Sequence, residues 1–292
     1  MRLSTAADRD DAAAVALLHA AFDAGVDFLD SADAYCLDAS ETGHNERLIA
    51  RALASWNGDR SRIVAATKGG LVRPEGRWVA DGRARHLVAA CEASRRALGV
   101  ERIALYQLHA PDPRTPLATS VRALAALKRS GLVERIGLCN VGLKQLEEAL
   151  RLAEIDAVQV ELSVLHDDSL WNGVAQRCLA ERIPLVAYRP LGGYDKRAKL
   201  ARDPVLVELA ARTARRPSRS HSPGFGASRR SCCRFRARRG WSRCARRCSP
   251  LHSLSTTPIA SGSTRASRRR GSSEASAPRC RPCLGRRASW CW

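Results

Sequence analysis

No stretch of this chain approaches the roughly 18 consecutive apolar residues of a membrane-spanning helix. The amino-terminal M-R-L-S-T-A-A-D-R-D-D has no apolar core after Arg2 of the kind that marks an export signal. The expectation is a soluble, cytoplasmic chain with no membrane partner. Phosphate-cradling glycine motifs are missing too: neither G-x-G-x-x-G nor G-x-x-x-x-G-K-[ST] occurs, which argues against a doubly wound dinucleotide sheet. Cysteine pairs at zinc-finger spacing are absent, the lone C-x-x-C being Cys280 to Cys283, so no metal site is expected.

Lysine and acid are lacking from one part only. Residues 215–292 hold 20 arginines, no lysine and one acid, Glu274, giving +19, whereas residues 1–214 balance to +1. The whole-chain charge of +20, which alone would suggest a nucleic-acid partner, therefore belongs to the tail. The tail carries no nucleic-acid recognition module and few aromatics, so phosphate binding is not its expected role. It also has few large apolar residues to offset the entropy of ordering, and disorder is expected. Arginine without lysine, with abundant Pro, Ala, Gly and Ser, is what a GC-rich gene yields when read out of frame. A frame shift close to residue 214 is the reading that follows. Cys36, Cys91, Cys139 and Cys178, scattered through the first part, read as reduced thiols.

Residues 1–214 suit one large domain at ~150 residues per domain. Residues 10–24 have helical spacing of Val15, Leu18 and Phe22, closed by Gly25. A strand is predicted over 26–30, then a polar loop, then a helix with Asn45 placed to cap it. The pattern repeats: strands at 62–67, 102–108, 134–139, 156–162 and 183–188 alternate with helices at 83–98, 116–130, 143–153 and 169–181. Such alternation means parallel strands joined by right-handed crossovers. The expected fold is an α/β barrel of the (β/α)8 TIM type with its active site at the strand C-termini. Six of its eight strands are recognisable; a doubly wound sheet is the runner-up.

Four chemistry-bearing residues stand where apolar runs give way to loops: Asp30 and Tyr35 in V-D-F-L-D-S-A-D-A-Y, Lys68 in I-V-A-A-T-K, and His109 in A-L-Y-Q-L-H. A phenol titrates near pH ~10, so a tyrosine that donates a proton at neutral pH needs a nearby cation. Lys68 can supply that charge, Asp30 can keep a buried lysine protonated, and His109 can orient a carbonyl. Singly, each residue has a bland reading as a loop aromatic, a strand-end cation or a satisfied histidine. In this order they form a constellation for protonating a carbonyl oxygen. Glu46, in G-H-N-E, reads instead as a structural acid in the first turn of a helix.

These residues lie in segments that resemble the aldo-keto reductase family: G-V-D-F-L-D-S-A-D-A-Y, G-H-N-E-R-L-I, A-T-K-G-G, L-Y-Q-L-H-A-P-D-P, K-R-S-G-L-V-E-R-I-G-L-C-N, Q-V-E-L-S and A-Y-R-P-L-G-G, over about residues 3–213. The resemblance implies reduction of an aldehyde or ketone, with Asp30, Tyr35, Lys68 and His109 as the catalytic tetrad and Tyr35 as general acid. It implies an NADP(H) cofactor, NAD(H) being the other candidate. Asn140 and Gln159 match positions that hydrogen-bond the nicotinamide carboxamide, Tyr188 matches the aromatic under the ring, and Leu191 lies in the same cofactor-side motif. Cys139 stands where the family has Ser, which weakens one carboxamide contact. Arg189 replaces a commoner Ser and is either a cation for the pyrophosphate or a loop cation. A small carbonyl compound is the implied partner, and a cofactor-binding regulatory subunit without turnover is the alternative. Against the family pattern Met1 falls near the end of the first strand, and beyond Ala214 the helix and eighth strand are not found. An unclosed barrel with two open edges, and impaired activity of this chain, are the expectations.

Overall fold

The computed structural model describes residues 3–193 and 196–213. The tail expectations, disorder, a frame shift and the Cys280 to Cys283 motif, lie outside the described residues. Helix α1 (Asp11–Asp23) begins where Asp10 accepts from the backbone N–H groups of Ala12 and Ala13, and it buries Ala14, Leu18 and Phe22. It closes at Gly25, with Val26 N bonded back to Ala21 O (3.0 Å), the hydrogen bond of a Schellman cap. Strand β1 (Phe28–Asp30) follows, then α2 (His44–Ser55), β2 (Val64–Gly69) and a short antiparallel hairpin of β3 (Leu71–Val72) and β4 (Val79–Ala80). The rest of the chain alternates: α3 (Ala84–Leu98), β5 (Leu105–Leu108), α4 (Leu117–Arg129), β6 (Ile136–Cys139), α5 (Leu143–Leu152), β7 (Ala157–Glu161), α6 (Val174–Ala180), β8 (Leu185–Tyr188), α7 (Arg197–Arg202) and α8 (Pro204–Thr213).

Six strands form one parallel sheet in the order β1-β2-β5-β6-β7-β8, so strand order follows chain order throughout. That order is the one a (β/α)8 barrel takes as it winds, and it delivers every strand C-terminus to the same rim. Among the described residues the sheet is open, with β1 and β8 at its edges, in line with an incomplete barrel. The central strands are buried on both faces, as parallel strands covered by helices must be. Leu108, Ile136 and Leu138 are fully enclosed against Leu87, Val121, Leu124 and Leu146 from the helices, while Leu105 is buried on the other face with Ala66 and Ala157. Each such side chain contributes about 1.5–3 kcal/mol by leaving water.

Three local expectations change. Asn45 does not cap α2: the N-cap is Gly43, whose backbone has the left-handed φ of 82° that suits glycine, and Asn45 instead exchanges hydrogen bonds with Ser31 and Ser4. The helix predicted over 169–181 is shorter, because residues 168–170 form a single 3-10 turn and α6 starts at Val174. The β3–β4 hairpin was not anticipated, since two-residue strands are too short to show a period.

Candidate active site

The rim of the sheet assembles the four residues in one place. Lys68 is completely buried at the end of β2, and its ammonium donates to Asp30 Oδ2 (2.7 Å), Ser31 O (2.8 Å) and Tyr35 OH (3.3 Å). An ammonium has three donors. All three are directed to the segment from Asp30 to Tyr35, which places the phenol where the lysine charge acts on it. Asp30 is held from its other oxygen by Gln107 Nε2 (3.4 Å). Gln107 lies two residues before His109 on β5 and so faces the same side of the strand. Gly137 on the neighbouring β6 makes room for it, as a Cβ there would stand 2.9 Å from Gln107 Cγ and 3.0 Å from Ala157 O.

His109 follows β5, with its backbone N–H on Gly69 O (2.9 Å) and its ring edge-on to Tyr35 at 5.5 Å between centroids. Trp78, brought in by β4, packs edge-on against both Tyr35 (6.3 Å) and His109 (6.2 Å), and the Arg73 guanidinium lies over the indole at 3.9 Å. Sequence reading missed Gln107 and Trp78. An amide between Tyr106 and Leu108 in an otherwise apolar strand was the available signal for Gln107; the placement of Trp78 depends on the unforeseen hairpin.

Burial and charge set the protonation states. Burial pulls the Lys68 ammonium down, but the adjacent Asp30 carboxylate and Tyr35 outweigh it and hold the amine above its ordinary range, so it is a cation at neutral pH. Burial raises the Tyr35 phenol, Lys68 opposes that rise, and the net direction is upward, so the phenol is protonated at neutral pH. Burial, followed by the Lys68 charge, pushes His109 well below the usual imidazole range, and it is neutral. Burial also pushes the Cys36 thiol up to about 11, which argues against a thiolate beside Tyr35.

The other end of the rim is uncharged at its centre. Asn140, just after β6, has a left-handed φ of 60° and donates through Nδ2 to His109 O (3.0 Å), while its Oδ1 accepts from Tyr188 OH (2.8 Å). These bonds engage one N–H and one lone pair, leaving the amide a donor and an acceptor for a ligand. Gln159 on β7 is buried, and the Cys139 thiol lies 3.7 Å from its Oε1 and 3.6 Å from Gln107 Oε1, so the position where the family has Ser faces two amide side chains. Tyr188 ends β8 half-buried; burial, then the Glu161 charge, raises its phenol, which stays neutral. Arg189 follows with a φ of 49° and pairs with Glu161 (3.6 Å), and Leu191 sits half-buried in the next turn. Asn140 thus links the Tyr188 hydroxyl to the His109 carbonyl, joining this end of the rim to the charged one.

A parallel α/β sheet that gathers a phenol, a charged amine, a carboxylate and an imidazole at its C-terminal rim has the parts for general acid–base chemistry there. The model of the Aldo/keto reductase family matches residues 1–208, and the chain belongs to that family. It is 34% identical over 188 residues to a 6-dehydroglucose reductase of Novosphingobium aromaticivorans, a match covering 63% of this chain and 61% of that protein. The structure of a glycerol dehydrogenase from Gluconobacter oxydans superimposes with a TM-score of 0.60 at 27% identity, over 69% of this chain and 59% of the other. An aldo/keto reductase from Klebsiella pneumoniae, solved with NADP and acetate, shares the fold with a TM-score of 0.61 at 20% identity, over 84% and 82% of the two chains. The chain thus spans about three fifths of the length of the first two relatives.

Proposed function

We propose that this protein reduces an aldehyde or ketone by hydride transfer from NADP(H), with Tyr35 as the proton donor. The observation that carries the reading is the Lys68 ammonium, fully buried and bonded to both Asp30 and Tyr35. A buried amine kept charged by one carboxylate and aimed at one phenol is an expensive arrangement unless the phenol's proton is used. NADP(H) follows the family's pattern, with Asn140 and Gln159 to hold the carboxamide and Tyr188 to pack on the ring; NAD(H) is the competitor that parallel titrations separate.

A nicotinamide held by Asn140, Gln159 and Tyr188 would supply the hydride. Tyr35 OH and neutral His109 bind the carbonyl oxygen, and Tyr35 transfers its proton as negative charge develops there. Lys68 lowers the cost of the tyrosinate that remains, and Asp30, steadied by Gln107, keeps Lys68 protonated. Trp78, packed edge-on against Tyr35 and His109, covers one side of the phenol and limits the approach of water there.

Tyr35→Phe removes the acid and keeps the shape. Turnover of a broad aldehyde and ketone panel should fall roughly 10²- to 10⁴-fold with cofactor affinity preserved. Undiminished reduction by the variant would overturn the assignment.

A further inference from the structure

Glu46 takes no part in the chemistry above, yet it is only 1% exposed and sits in the first turn of α2, its carboxyl facing the hydroxyls of Thr67 on β2 and Ser94 on α3. Burying a carboxyl is costly even when hydroxyls hold it, and an apolar side chain of similar size would stabilise the fold as well. One of its oxygens accepts from the Thr67 hydroxyl. Thr67 and Lys68 are consecutive on that strand and point to opposite faces, Thr67 towards α2 and Lys68 towards Tyr35.

The loop from Ser31 to Gly43 carries Tyr35 and is fastened to β2 along its length. Ser31 N donates to Ala66 O (2.8 Å), Ser31 O accepts from Lys68 Nζ (2.8 Å), and Asp33 N donates to Lys68 O (3.2 Å). At the far end Gly43 N returns to Asp33 O (2.7 Å), and Glu46, three residues on, grips Thr67. Glu46 is thus the side-chain tie at the end of the loop opposite Ser31. The contact these ties converge on, Lys68 Nζ to Tyr35 OH, is 3.3 Å, near the outer limit of a hydrogen bond, so a few tenths of an ångström at either end decide whether it forms.

We propose that Glu46 is a positioning residue for proton transfer, holding the end of β2 through Thr67 so that the Lys68 ammonium stays against Tyr35. This rests on the reading of Tyr35 as proton donor. In the full chain, Glu46→Ala and Thr67→Val should each lower kcat roughly tenfold with KM changed less than about threefold, and the double variant should be no worse than either single one. Because Lys68 then does less to lower the phenol, the alkaline limb of the pH profile should move to higher pH in both. Glu46→Gln and Thr67→Ser, which keep the acceptor and the hydroxyl, should stay within about threefold of the parent. The ¹H–¹⁵N signal of the Lys68 ammonium gives a readout free of turnover. It should move in Glu46→Ala and Thr67→Val and stay in place in the two conservative variants.

Native kcat and pH profile in the folded fraction of Glu46→Ala and Thr67→Val would overturn the proposal, as would an unmoved ammonium signal. If the parent shows no Tyr35-dependent turnover, the functional reading fails, and the ammonium signal alone still decides whether Glu46 positions Lys68.

Discussion

At the ends of β1 and β2 the site is built from charge: a buried ammonium, a carboxylate 2.7 Å from it and a phenol 3.3 Å from it. At the ends of β6, β7 and β8 it is built from neutral groups, an amide chain running from Tyr188 OH through Asn140 to His109 O, with Gln159 beside it. The first region is held in place by its own electrostatics and has few ways to rearrange. The second relies on backbone conformation, with Asn140 and Arg189 both at positive φ, where a side chain is held at some cost in strain. The charged end suits bond-making, which needs a fixed field; the neutral end suits a ligand that must bind and leave.

The largest expected effect strikes the charged end. Lys68→Met should lower kcat/KM for carbonyl reduction by roughly 10²-fold or more, because Tyr35 loses the cation that stabilises its conjugate base. It should also cost about 2 kcal/mol of stability, since Asp30 is left without its partner but is partly hydrated. Steady-state kinetics and urea melts of the same preparation measure both. If stability falls while reduction does not, the charged end is scaffolding and the comparison breaks.

At the neutral end a smaller, affinity-type effect is expected. Tyr188→Phe keeps the ring but removes the hydroxyl that fixes the Asn140 amide, so Kd for NADPH should rise about fivefold, the worth of one neutral hydrogen bond. Fluorescence titration reads this directly. A large loss of kcat at unchanged Kd would mean that the two ends are not separate in function.

Asp33 sharpens the contrast through pH. Its carboxyl is buried, and burial first, then the Glu46 charge, pushes it well above the ordinary range. The native state therefore binds this proton more tightly than the unfolded chain, whose Asp titrates near pH ~4. The associated stability is fully present below that pH and is lost as pH rises through the native value. Asp33→Asn, which keeps the neutral form at every pH, should melt about 3 °C above the parent at pH 7–8, with the gap closing towards pH 4. A gap that widens on acidification would reverse the argument.

The smallest effect is expected from removing the arginine-rich residues after 214, which we propose are not needed for the site. Thermal midpoint and NADPH affinity should change by less than their experimental error. A marked loss would give the tail a structural part in the site.

The βα alternation was legible because most helices are long enough to show a period and each strand is an apolar run, so six strands and five of their helices could be placed to within a few residues; the seven-residue α6 starts five residues later than expected, and α7 and α8 were not read from the sequence. The cluster of Asp30, Tyr35, Lys68 and His109 was legible as a candidate site because these are unusual residue types at strand ends. The sequence also determined the cofactor-side candidates, Asn140, Gln159, Tyr188, Arg189 and Leu191, as positions in recognisable motifs. Only the tertiary structure decided how they act on one another. The Glu46 bond to Thr67 spans 21 residues, Gln107 reaches Asp30 across 77, and Tyr188 reaches Asn140 across 48. Such pairs leave no local pattern, because they exist only once the crossovers bring separate strand ends to one rim. The same holds for Trp78, which closes over Tyr35 and His109 because a hairpin of two-residue strands folds back, and for the protonation of Lys68, which is set by burial and a carboxylate 38 residues away.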